Sequence, residues 1–550
     1  MALNLTEFRF LIVDDLREVR MSLRAMLEAL RVTQIVEARN VDEALAGLKA
    51  QSFDVVLCDY NLNDTRDGQQ LFEEARGRGL LPAHAAWLMI TAEQTMAMVM
   101  GVVENNPDGY LVKPINKAVL QTRLERAIAR KLITRDVETA LRKERFREVV
   151  ALADAQLARV PQLKGELLRL KTEALLRLGD FDAVLELCHG WLNERQDAGA
   201  SPIETAWAQI ALGRAQLELG DLRQSRQMFQ NLIERAPTVM EAYDWLARVE
   251  REDGDGKAAQ RVLVQGLSVS PRALRRHQAL GDAAIENRDY ATAEKAFEKV
   301  LQLGEDSCYA RPEDAVGLLS AVRETKGLPA ALKGLAELTK RASRRRGVRE
   351  THWQMHALEA TLLMDSGKPD EARDAANRAL EGFRSDYGQR DNAATLRLAK
   401  ACFTAGLDEE ARGLVDRMVR ENHDHHGVLE SVRAMFNELG RVEDGAALIE
   451  HAQAEVIRIN NEGVMLAKGG RYKEAVSLLR KAAEELPNSL TVQLNVLQAL
   501  RLQMQAEGVT QQARYLAREH LLQVERLAPR AEKVLAVKES LQPFIQGGNG

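Results

Sequence analysis

Short apolar runs closed by turn-forming residues punctuate the first part of the chain: Phe10–Val13, Gln34–Ala38, Val55–Cys58, Trp87–Ile90 and Gly109–Val112. Helical patterns lie between them. The first sets Val19, Leu23, Met26, Leu27 and Leu30 on one stripe at steps of three and four. Strand and helix alternating in this way predict a doubly wound, five-stranded parallel sheet over residues 1–130. From Lys117 to Val160 there is neither proline nor glycine, and Leu120, Leu124, Ile128 and Leu132 step by four. One long helix over 117–160 is the expectation.

Beyond residue 160 the pattern is helical only, and it repeats. Gly213, Ala247 and Gly281 are 34 apart (247 − 213, 281 − 247), as are Pro237 and Pro271 (271 − 237). A small residue lets helix close on helix, and the proline ends the second helix of each unit. Seven residues after the small position comes a turn, at Gly220 and Gly254, with Arg288 in the same place; Phe229, Leu263 and Phe297 follow at matching points. Asn460–Pro487 carries the whole pattern through Gly463, Gly470, Tyr472, Ala475, Leu479, Ala482 and Pro487. The array is placed at 161–535. Residues 306–350 lose the register and read as an irregular insert, and 536–550 read as a flexible tail.

A length of 550 residues exceeds one compact core. Thirteen prolines and 5% aromatics suit a mostly helical protein, and a net charge of −5 with 29% charged residues does not mark a nucleic-acid binder. Cys58, Cys188, Cys308 and Cys402 lie far apart without a Cys-x-x-Cys spacing, which argues against a disulfide framework or zinc finger and suits the cytoplasm. Neither a basic-then-apolar leader nor a window of about 18 uncharged apolar residues is present, so neither export nor a membrane span is expected.

The candidate chemistry sits at the strand ends. Asp14 and Asp15 follow the first run, Asp59 the third, Thr91 the fourth and Lys113 the fifth. Ligands of doubly wound sheets bind outside the carboxyl ends of the strands. Acids, a hydroxyl and an ammonium would therefore converge on one edge. Magnesium suits such an oxygen-rich site and would cancel repulsion among Asp14, Asp15 and Asp59. Asp59 could then serve as nucleophile toward a phosphoryl group, with Lys113 and Thr91 offsetting charge on its oxygens.

The acidic pair Asp14-Asp15, Asp59, "MIT" ending in Thr91 and "YLVKPI" with Lys113-Pro114 resemble a response-regulator receiver domain over about residues 7–130. That resemblance implies Mg2+ bound by Asp15, Asp59 and the main-chain carbonyl of Asn61, with Asp14 acting mainly through water. It implies phosphorylation of Asp59 by a histidine kinase or phosphotransfer protein, contact of Lys113 with the phosphoryl group, a cis Lys113-Pro114 bond, and Tyr110 as the switch aromatic. Asn61 and Glu93, two residues past Asp59 and Thr91, match the positions that tune phosphate lifetime. Their pairing implies a short-lived signal.

The helical part resembles tetratricopeptide (TPR) repeats stacked into an all-α superhelix, which present a concave surface without catalytic machinery of their own. Arg214, Asp244, Arg248, Arg251 and Asp282 are candidates for gripping a target protein there. Asn460, Asn461 and Lys468 are further candidates. The expectation is a bacterial, cytoplasmic response regulator, not an enzyme beyond turnover of its own phosphate. Its output would be a protein contact. Two alternatives stay open: a constitutive scaffold whose receiver makes a homodimer, and nucleic-acid binding through the basic 117–160 stretch or the Lys340–Glu350 loop. "HWQMH" (His352, His356) lacks the glutamate of a metalloprotease. "HDHH" (His423–His426) reads as a polar helix terminus.

Overall fold

The structure, a computed structural model, describes residues 4–62, 66–91, 107–197, 199–304, 307–343, 352–385, 392–423, 425–487, 489–528 and 532–546. The chain forms two compact units, Met1–Ala321 and Val322–Gly550.

The first unit opens with the expected sheet. Strands β1 (Arg9–Val13), β2 (Gln34–Ala38), β3 (Val55–Asp59), β4 (Ala86–Thr91) and β5 (Gly109–Val112) pair in parallel in the order β2-β1-β3-β4-β5. Every residue of β3 is buried, as a strand covered on both faces requires. Helices α1 (Arg17–Glu28) and α4 (Lys117–Arg142) cover one face, with Leu23, Leu27, Leu120 and Leu124 against Phe10, Ile12 and Leu57. Helices α2 (Val41–Ala50) and α3 (Gly68–Gly77) cover the other, with Val41, Leu45, Leu71 and Phe72 against Leu11, Val56 and Trp87.

The single helix expected over 117–160 is two helices. The first ends at Arg142, Glu144 turns the chain with a φ of 55°, and a second runs Phe146–Leu157. Absence of proline and glycine did not prevent the break, because apolar positions on both sides gain by folding back. Val149 and Ala153 bury against Val137 and Ala140, and Leu167 and Leu170 join them. The helical array thus begins before residue 161, on the end of α4.

Helical pairs follow: Pro202–Glu218 with Leu222–Arg235, Met240–Glu252 with Gly256–Val269, and Leu274–Glu286 with Tyr290–Leu303. The small positions do what their spacing predicts. A Cβ on Gly213 would lie 2.5 Å from the Phe229 ring, and one on Gly281 would lie 2.6 Å from the Phe297 ring. The matched turns are equally literal: Gly220 and Gly254 both have φ 83°, and Arg288 adopts 58°. That left-handed conformation costs a side chain that glycine does not carry.

Residues 306–350, expected to be an irregular insert, contain helices Pro312–Lys326 and Leu328–Ser343. The repeat register is lost there while the helical fold is kept. In the second unit, Trp353, Ala360, Ala375, Ala379, Leu398, Cys402, Val415 and Phe436 belong to one core. The helix Val442–Lys468 runs through the start of the Asn460–Pro487 pattern without a turn; no glycine or proline lies between Ala446 and Glu462 to impose one. Of the expected flexible tail, 536–546 belong to helix Glu532–Gln546, with Val534, Val537 and Leu541 buried against Leu497, Leu500 and Val524, and 547–550 lie outside the described residues. Among the described residues, no helix is long and apolar enough to cross a membrane.

Candidate functional site

Strand register assembles the site. Val13 pairs with Cys58, so the next residues, Asp14 and Asp59, leave neighbouring strands side by side. Asp59 pairs with Ile90 and Thr91 with Val112, which brings Lys113 to the same rim. Among the described residues, Asp14, Asp15 and Asp59 form the one gathering of acids, histidines or cysteines able to hold a metal ion, their ligand atoms within 4.8 Å of one another.

Asp14 is fully buried and Asp59 is 6% exposed. The Lys113 ammonium donates to Asp14 Oδ2 at 3.0 Å and stands 3.0 Å from Asp59 Oδ1. Lys113 thus faces Asp14 and Asp59 directly, with Asp15 alongside. Burial pushes the Asp59 carboxyl up to about 6; Lys113 opposes that rise, while the charges of Asp14 and Asp15 add to it. Burial alone would lower the Lys113 pKa, but its bonds to Asp59 and Asp14 hold it above its ordinary value. A compact, hard divalent cation fits this donor set, since it supplies the charge that the site lacks and accepts carboxylate oxygens.

The backbone around the acids is fixed from several sides. Leu16 N–H donates to Asp14 Oδ1 at 2.9 Å, and Arg20 Nη1 donates to the carbonyls of Asp14 (2.7 Å) and Asp15 (3.0 Å). Tyr60 N–H donates to Ile90 O at 2.8 Å, and Gly68 N–H donates to Tyr60 O at 2.8 Å. A Cβ on Gly68 would overlap Asp59 O and lie 2.9 Å from Cys58 Sγ, so the start of α3 rests directly on the exit of β3. Asp67 caps that helix in a capping box with Gln70.

Thr91 ends β4 and is half-buried, Asn61 is exposed just past β3, and the Lys113-Pro114 bond is cis. Tyr110 is half-buried beside Trp87 and Met89, and burial pushes its phenol pKa up. Glu93 lies outside the described residues. Sequence reasoning missed Arg20, which no spacing rule singles out, and Gly68, whose signal was the turn-like Asp67-Gly68 step closing the loop.

Residues 10–125 match a family model described as a response regulator receiver domain. Chemotaxis protein CheY of Pseudomonas aeruginosa is 30% identical over 122 residues, 22% of this chain and 97% of that protein. The chain belongs to the response-regulator receiver family. Chemotaxis protein CheY-3 of Vibrio cholerae is 32% identical over 122 residues, 22% of this chain and 92% of its own. Downstream of the receiver, tetratricopeptide-repeat models match residues 210–263, 274–306 and 358–425. The solved C-terminal part of a TPR repeat-containing protein from Cytophaga hutchinsonii is 13% identical, with a TM-score of 0.35, covering 46% of this chain and 96% of that one. A receiver followed by TPR repeats is a response regulator with protein-interaction repeats.

The candidate grip residues on the repeats mostly link the first helix of one pair to the first helix of the next. Arg214 pairs with Glu173 at 2.8 Å, Arg248 with Glu218 at 3.2 Å and Arg251 with Glu286 at 2.6 Å. Arg214 and Arg248 also stand over the Trp245 ring, at 4.8 and 5.1 Å. Asp244 pairs with Arg276 at 2.8 Å, Asp282 with Arg311 at 3.1 Å, and Asn460 accepts from Asn495 at 2.6 Å. Asn461 and Lys468 are exposed. His425 caps helix His426–Glu438, and His356 contacts Glu359 at 2.9 Å.

Proposed function

We propose that Asp59 accepts a phosphoryl group from a histidine kinase or phosphotransfer protein, and that the phosphorylated regulator makes or releases a protein contact through its TPR repeats. The observation that carries this reading is the Asp59 carboxylate held 3.0 Å from Lys113, with Asp14 and Asp15 alongside. An Asp59 oxygen attacks phosphorus, the P–N bond to the donor histidine breaks, and that imidazole leaves with a proton. The product is an acyl phosphate on Asp59. Asp14, Asp15, Asp59 and the Asn61 carbonyl would hold Mg2+, which when bound offsets the negative charge of carboxylates and phosphoryl oxygens. Lys113 stays beside the transferred group and Thr91 donates to it. Tyr110, on the neighbouring strand, follows Thr91 inward. Water later attacks the phosphorus and returns free carboxylate and inorganic phosphate, on a timescale set by Asn61 and Glu93.

The setting that suits this reading is the bacterial cytoplasm, with a target protein on the repeats. The basic stretch after Lys117 supports nucleic-acid binding poorly. Arg130 and Lys131 face Asp108 at 2.6 and 3.2 Å, and Arg142 donates to Leu81 O, so much of its charge turns inward. The test is incubation of the purified chain with acetyl phosphate and Mg2+, followed by intact mass and peptide mapping. One phosphoryl group on Asp59, absent in Asp59→Asn, is the expected result. An unmodified wild-type chain refutes the proposal.

A further inference from the structure

The acceptor strand is tied to the repeats by a second route besides the chain itself. Helix α3 starts against Asp59 O, through Gly68, and its other side meets the edge of the array. Asp67, 6% exposed, turns one carboxylate oxygen to the α3 backbone (Gln70 N–H, 2.9 Å) and the other to Arg272 Nη1 at 2.9 Å. One turn on, Gln70 Nε2 donates to Leu303 O at 3.3 Å. Glu74, 2% exposed, accepts from Cys308 N–H at 2.6 Å. At the end of α3, a Cβ on Gly77 would overlap Cys308 Sγ and lie 3.0 Å from the Tyr309 hydroxyl.

The array side of this contact is braced in turn. Gln278 donates to Tyr309 O at 2.9 Å and to Asp314 Oδ2 at 2.7 Å, and Arg275 stands 5.0 Å from the Tyr309 ring centroid. Beside α3, a cavity of about 640 Å³ is lined by Phe72, Arg76, Trp87, Arg142 and Trp207. A rigid element fixed at the acceptor and at the repeats, with free volume next to it, can shift as a body.

We infer that α3 is the docking surface through which the receiver engages its own repeats, with the Arg272 edge and the Cys308–Tyr309 turn as the receiving partner. The inference rests on Asp59 being the acceptor. Phosphorylation replaces the single carboxylate charge of Asp59 with nearly two on the phosphoryl oxygens, at the strand exit against which Gly68 and the start of α3 rest. Arg272 is the array cation bonded to the Asp67 carboxylate, so the added charge draws the edge closer and tightens the dock. Linkage makes the effect reciprocal: an intact dock favours the phosphorylated form by the same factor.

The test uses the full chain, Mg2+ and beryllofluoride as the phosphoryl mimic, read by hydrogen exchange. In the wild type, the mimic protects the ends of β1 and β3 and also slows exchange in α3 and residues 307–311. Arg272→Ala and Gln70→Ala bind the mimic about fivefold more weakly and lose the change at 307–311, whereas Arg235→Ala, on an exposed helix end, behaves as wild type. If the mimic protects β1 and β3 equally in all four proteins while 307–311 does not respond, the docking inference fails and the acceptor assignment stands. If the mimic leaves the wild-type β1 and β3 ends unprotected, the acceptor assignment fails and takes the docking inference with it.

Discussion

Replacing Asp59 with asparagine should stabilise the metal-free receiver, and only where the carboxyl is ionised. The folded protein raises the Asp59 pKa from 3.8 to about 6, burial being the main cause. A raised carboxyl binds its proton more tightly in the folded state than in the unfolded one. Stability is therefore lost as pH climbs from 3.8 toward about 6, and the full deficit persists above that. At 1.36 kcal/mol per unit, the ionised carboxylate costs the fold about 3 kcal/mol near pH 8 and about half of that near pH 5. Asparagine keeps the shape without the charge, and Lys113 retains its bond to Asp14 at 3.0 Å. Opening free energies of β1 and β3 amides, from hydrogen exchange in chelator and corrected for intrinsic rates, should rise by up to about 3 kcal/mol at the higher pH. Mg2+ cancels the same repulsion, so it should erase most of the difference. Equal protection of wild type and Asp59→Asn at high pH in chelator, or a gain that does not shrink on acidification, would refute the electrostatic account of the site.

Two other substitutions probe the frame around it and a third probes the repeats. Gly68→Ala forces a methyl into Asp59 O and Cys58 Sγ; it should cost about 2 kcal/mol and sharply reduce labelling of Asp59 by acetyl phosphate, and wild-type labelling would contradict the contact. Asp108 accepts from Trp87 N–H at 2.9 Å and faces Arg130 and Lys131. Asp108→Ala should destabilise the receiver and loosen α4 by about 2 kcal/mol, seen as faster exchange along β4 and α4. Arg288→Gly should stabilise its helical pair by about 1 kcal/mol, because φ 58° costs arginine what glycine does not pay; a lowered melting temperature would show that its side chain matters more than its backbone.

The five strands and the acidic rim were legible because both follow local rules. A parallel strand buried on both faces must be a short apolar run, and a doubly wound sheet fixes where its strand ends go. The 34-residue spacing told equally well where helix closes on helix, since Gly213 and Gly281 answer Phe229 and Phe297 directly. What stayed hidden depends on partners distant in sequence. Nothing local distinguishes a helix that continues past Arg142 from one that turns at Glu144. The choice is made by Val149 and Ala153 finding Val137, Ala140 and Leu167. The end of the chain reads as polar enough to be loose, yet Val534, Val537 and Leu541 are enough to seat a final helix. The ion pairs of charged residues on the repeats stayed hidden for the same reason. Arg248 and Arg251 are paired with Glu218 and Glu286, one repeat away in sequence.

Those long-range partners also shape how a shift at Asp59 would reach the repeats. On one face of the sheet, α4 carries the chain onward and is anchored to the receiver through Asp108. On the other face, α3 runs from Asp59 O to Cys308, with Asp67 held by Arg272. A shift confined to the β4–β5 rim would act on α4 alone and leave Arg272 where it is. A shift of the β3 exit would move Gly68 and pull on the repeat edge. The two routes make different demands on a double variant. If they are independent, Asp108→Ala and Arg272→Ala should weaken beryllofluoride binding additively in free energy. If both report one rigid-body movement of the receiver, the second substitution should add little to the first. Additivity within about 0.5 kcal/mol would exclude a single concerted movement.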